Sequence, residues 1–165
     1  MTEGVPPRSE SVLNDPERVL LEAFLDDNRE ELVATLAGLT DEQARRRLVP
    51  SLTTPLGLVK HAAFVERAWF QAALAGRTRA EIGIPDTVDE SFALTDADTV
   101  DSVVTDFRRA CGESREAAAR YALDDRALHN RRGPLSLRWV YVHMIEELAR
   151  HAGHADILRE QIRPV

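Results

Sequence analysis

The sequence predicts an all-α protein, a four-helix bundle. Apolar residues recur every three or four positions in four long segments, no stretch alternates convincingly as a strand would, and there is no internal repeat. A length of 165 residues suits one domain and is enough to bury a core without disulfides.

Residues 1–14, with Pro6, Pro7 and several serines, read as a flexible tail, and residues 15–165 as the bundle domain. Asp15-Pro16-Glu17 sets a capping side chain before a proline and an acid in the first turn. Val19, Leu20, Phe24, Leu25, Leu32, Val33 and Leu36 continue with helical period, which predicts a helix over about 16–37, stopped near Gly38. Thr40-Asp41-Glu42-Gln43 has the form of a capping box and opens a short helix near 41–46. Thr54-Pro55 opens the second long helix, with Leu58, His61, Ala62, Val65, Trp69 and Leu74 on its stripe and Gly76 at its end.

Residues 77–94 have no clear period and read as a long connection. Thr95-Asp96-Ala97-Asp98 restarts a helix carrying Val100, Val103, Val104, Phe107, Cys111 and Ala118 on one stripe, with Gly112 inside it. Residues 123–135 form a second connection with a little extended structure, and Ser136 caps a last helix running to about Ile162.

Charge excludes some partners. With 21 basic against 28 acidic residues the net charge is −7, so neither nucleic acid nor an anionic membrane surface finds a basic face. No stretch approaches the ~18 apolar residues of a membrane span, and no signal-like segment opens the chain, which predicts a cytoplasmic protein. Cys111 is the single cysteine, so an intrachain disulfide, a zinc ribbon and a redox pair are excluded. It reads as a small core residue.

Of five histidines, His143, His151 and His154 crowd into the last helix. Glu147 and His151 lie four apart, one turn from each other on a helix, a geometry in which carboxylate and imidazole can bind one ion. His154 and His143 extend the stripe in either direction, and each is spaced to replace Glu147 as a ligand. Val140, Met144, Leu148, Ala155 and Leu158 flank it, which turns the stripe into the bundle, where polar groups need a partner or a metal. His61, between Leu58 and Val65, is the obvious third ligand. Two imidazoles, a carboxylate and an open position suit zinc, nickel, iron or another first-row divalent ion. The competing reading is a set of hydrogen-bonded core histidines.

Around this set, Glu146 faces about 100° away and reads as solvated or salt-bridged. Glu66 reads as a surface acid or one beside the site, His129 as an exposed loop residue, and Trp69 and Trp139 as core aromatics. Arg131-Arg132 sits in an ordinary turn or meets an anionic substrate, and Arg150 is the better placed for substrate or cofactor contact.

The segments TTPLGLVKHAAFVERAWF (53–70) and SLRWVYVHMIEELARHAGHADILRE (136–160) resemble the DinB-like superfamily of four-helix metal proteins, and most of all its actinobacterial mini-circle-type members. With the tract between them, the resemblance covers residues 15–162. It implies one metal ligand from the second helix, matched by His61, and two from the last helix four residues apart, the last matched by His151. Glu147 stands where many relatives carry histidine, an arrangement similar to that of mycothiol-dependent maleylpyruvate isomerase. His154 stands where many relatives carry glutamine, placed to act as a catalytic acid or base or as an alternative ligand.

The resemblance thus implies a divalent ion, zinc or nickel first, on His61, Glu147 and His151, and a low-molecular-weight thiol such as mycothiol as cofactor for a transferase or isomerase with a small-molecule substrate. It is compatible with a homodimer. A metal-activated hydrolase using the same ion, and a non-catalytic module binding metal or ligand, are the alternatives.

Overall fold

The computed structural model describes residues 6–163. Four long helices make the bundle: α1 (Glu17–Ala34), α3 (Pro55–Glu66, continued by π-helical winding over Arg67–Leu74), α6 (Val100–Ala118) and α7 (Leu137–Ile162). Between them lie the short helices α2 (Asp41–Ala44), α4 (Arg79–Ile82) and α5 (Val88–Phe92), and an antiparallel pair, β1 (Arg126–Ala127) and β2 (Leu135–Ser136). The all-α class of the sequence reading holds.

α1 packs chiefly on α7 and α3 on α6, while α3 also touches α7. Leu25, Leu32, Leu56, Val59, Phe70, Phe107, Val140, Met144 and Leu148 fill the space between them. No helix among the described residues is long and apolar enough to cross a membrane.

Several elements differ from the sequence expectation, each for a local reason. Part of the tail is structured: Arg8–Ser11 forms a 3₁₀ turn whose Arg8 and Ser9 backbone amides donate to the Asp27 carboxylate at 2.7 and 2.9 Å. Residues 1–5 of that tail lie outside the described residues. The third long helix begins at Val100, because Thr99 and Ser102 cap each other's backbone amides. Thr95 instead donates to Asp98, which also takes Lys60 Nζ at 2.8 Å. Residues 77–94 hold two helices, α4 and α5, each opened by a capping box: Thr78 with Glu81, and Thr87 with Glu90.

The buried stripe of α1 is Leu25, Arg29 and Leu32, continued past the helix end by Leu36, while Phe24 and Val19 face solvent. Arg29 takes a core position because Glu66, fully buried and so not a surface acid, receives its guanidinium at 2.8 and 2.7 Å. Asp26 accepts from the same guanidinium at 2.8 Å and from Arg115 and Arg8 at 2.6 and 2.7 Å. Cys111 lies against this cluster, and burial raises its thiol to about 12, which keeps it protonated.

Candidate metal centre

The contact of α3 with α7 places His61 opposite Glu147 and His151. Thr54 caps α3 by accepting the Gly57 amide at 2.9 Å, and Pro55 starts the helix. The apolar residues on either side of His61 then turn it inward, to 3% exposure. On α7 the four-residue spacing stacks Glu147 and His151 one turn apart, with His151 buried and Glu147 half-buried.

One ligand atom from each of His61, Glu147 and His151 lies within 4.8 Å of the others. Glu147 Oε1 is 3.0 Å from His151 Nε2 and 3.4 Å from His61 Nε2. The three residues singled out in the sequence thus converge.

A fourth residue, absent from the sequence reading, fixes the tautomer of His61. Ser91 on α5 gives its hydroxyl proton to the Val88 carbonyl, so it accepts the proton of His61 Nδ1, 2.7 Å away. Phe92 lies flat on the imidazole at 4.0 Å and 12°. Gly57 permits this approach: a Cβ there would stand 2.9 Å from Thr54 Oγ1 and 3.0 Å from the Phe92 carbonyl oxygen. The legible signal for α5 was Thr87-x-x-Glu90, a capping box inside a stretch without hydrophobic period.

Burial pushes the His61 pKa down, so the ring is neutral, with its proton on Nδ1 and its Nε2 lone pair turned toward Glu147. Hydrogen bonding from His151 holds Glu147 well below the usual carboxylate range. An imidazole lone pair therefore faces an ionised carboxylate across 3.4 Å with no proton between them. His151 Nδ1 is buried with no hydrogen-bond partner among the described residues. This donor set, two imidazoles and a carboxylate converging on one point, fits a divalent first-row cation. The Ser91 bond to the far nitrogen of His61 is the kind that orients a metal-ligating imidazole.

The remaining candidates surround this centre. Arg150 donates to Glu146 at 2.8 Å and comes within 3.8 Å of Glu147 Oε2. His154 is exposed, its ring 5.8 Å from that of His151. His143 stays outside the converging group and packs against Trp69 and Trp139, both of which are half-buried instead of core. His129 is exposed, with its ring against Gly76.

A family model described as mycothiol-S-transferase matches residues 20–164. No protein of curated function matches the sequence. Among solved structures, one described as the conserved protein of locus from Enterococcus faecalis superposes with a TM-score of 0.69 at 18% identity, over 87% of this chain and 95% of that one. At that identity it supports the fold alone. The family match spans the bundle and both segments that carry the DinB-like resemblance, and with it the chain belongs to the mycothiol-S-transferase family of DinB-like proteins.

Proposed function

We propose that the protein is a metal-dependent thiol S-transferase, using mycothiol or a similar low-molecular-weight thiol, with zinc or nickel held by His61, Glu147 and His151. The observation that carries this reading is the His61 lone pair aimed at an ionised carboxylate, with its tautomer set by Ser91. The family match supplies the thiol chemistry. A divalent cation at this position favours the thiolate, the nucleophilic form of a thiol brought to it.

The chain's own residues do the rest. Ser91 and Phe92 hold the His61 ring in place, and Glu147 provides the negative charge. Arg150 steadies the outer oxygen of Glu147 and presents its exposed guanidinium to an anionic group of cofactor or substrate. His154, beside His151 and open to water, takes the proton released from the thiol and passes it to solvent.

The test begins with metal content of protein purified without an affinity tag. Near-stoichiometric metal, lost in His61→Ala and His151→Ala, is expected. The zinc-loaded protein should then accelerate consumption of mycothiol by 1-chloro-2,4-dinitrobenzene. Cleavage of an ester without thiol would replace this reading with a hydrolase, and tight metal binding with neither activity would replace it with a binding module. Protein that takes up neither zinc, nickel nor iron would overturn it outright.

A further inference from the structure

One turn and two turns before Glu147 on α7, His143 and Trp139 build a second constellation with Trp69 of the π-helical segment. The indoles of Trp69 and Trp139 lie 5.4 Å apart. His143 is 4.9 Å from each, nearly parallel to Trp139 at 12° and edge-on to Trp69 at 67°. The guanidinium of Arg132, from the loop before α7, lies 5.5 Å from the Trp139 ring centre and 5.9 Å from that of Trp69. All three rings are half-buried and Arg132 is exposed, so the cluster opens to solvent.

Its polar groups are unspent. In a chain of net charge −7, Arg109, Arg138 and Arg150 each meet a carboxylate. Arg132 meets none among the described residues, and its side chain makes no hydrogen bond there. The two indoles hold the guanidinium by cation–π attraction while its planar fork of N–H donors stays free. The ring nitrogens of His143 likewise have no partner among the described residues.

An aromatic floor under a free fork of donors matches a flat organic anion. Its π-face stacks on an indole while its carboxylate takes the guanidinium through two parallel hydrogen bonds. Along α7, His143 stands about 6 Å and Trp139 about 12 Å from Glu147, so a molecule bound on this cluster reaches toward the triad by way of the His143 turn. We infer that Arg132, Trp69, Trp139 and His143 form a binding site for a small planar organic carboxylate, the acceptor that receives the thiol. Its role as acceptor rests on the thiol-transfer reading; the binding itself does not.

The chain has two tryptophans, and both belong to this cluster, so tryptophan fluorescence, excited where tyrosine does not absorb, reports on it alone. Benzoate and its uncharged counterpart benzamide are titrated into the full-length protein in the presence of a chelator. Benzoate should change the emission saturably, with a Kd at least about ten-fold below that of benzamide. Arg132→Gln, on an exposed loop, should bring benzoate to the benzamide level, and Arg132→Lys, which keeps the charge but not the fork, should fall between. Equal binding of the two probes, no binding of either, or benzoate binding unaffected by Arg132→Gln would overturn the site. A neutral methyl glucoside binding as tightly as benzoate would overturn it in favour of a sugar platform. Because the chelator removes any metal, failure of the triad to hold zinc would leave this result standing, and the converse.

Discussion

Two carboxylate-centred clusters are buried in this bundle, and they end in opposite states. Around Glu66 and Asp26, the guanidinium of Arg29 fills both oxygens of one carboxylate and reaches the other, and Arg115 and Arg8 complete the set. Every charge there meets an opposite charge within the chain. Around Glu147, one oxygen is shared by two imidazoles, one of which has no proton to give it, and His151 Nδ1 has no partner among the described residues. Burial of charge is common to both. Only the second leaves an attraction for something outside the chain, which separates a structural ion pair from a candidate metal centre.

The largest effect that sharpens this contrast is on stability. Glu66→Ala strips the buried Arg29 guanidinium of two of its three hydrogen bonds and leaves it Asp26 alone, and should cost about 3–5 kcal/mol in denaturant unfolding. Glu147→Gln removes the charge of the other cluster without removing its bulk, and should move the metal-free protein by less than about 1 kcal/mol while weakening zinc binding by two or more decades. A large loss of metal-free stability in Glu147→Gln would break the distinction between the clusters.

Ser91→Ala comes next. It frees the His61 tautomer without touching a ligand, and should lower zinc affinity about 10–100-fold by competition titration. Gly57→Ala acts on the same partner from further away. Its Cβ must displace Thr54 or the Phe92 backbone, so α5 shifts, at about 1–3 kcal/mol of stability and with weaker zinc binding.

The smallest effect is a pH slope. Burial lowers His61 below its ordinary 6.5, so on acidification the unfolded chain takes up this proton first. The stability contributed by neutral His61 is present above pH 6.5 and is lost as pH falls below it, down to where the folded protein also titrates. Metal-free His61→Gln should lack that slope. A slope of the same size in both proteins would show that His61 is as easily protonated folded as unfolded.

Much of this was legible in the chain because helices write their period and caps locally. The four long segments, the Thr40 and Ser136 caps and the Glu147–His151 spacing need no knowledge of the rest of the molecule. His61 was legible as a polar residue on an apolar stripe. Arg29 was passed over on the same ground: a stripe reads as core only through its apolar members, and the position of Arg29 was decided by Glu66, 37 residues away. Ser91 and Phe92 went unread because α5 is too short to show a period, although its capping box was present.

By itself the sequence determined the helices, their apolar faces and the three side chains able to hold a cation, since each depends on neighbours within a turn or two. Only the tertiary structure decided which charges neutralise one another and which do not. That depends on contacts between α1 and α3, α3 and α7, and α5 and α3, where the position of one proton separates a filled hydrogen bond from an unpaired lone pair. The approach of the π-helical segment to α7 sets Arg132 over two indoles from opposite sides of the bundle seam, a pairing that no local spacing encodes.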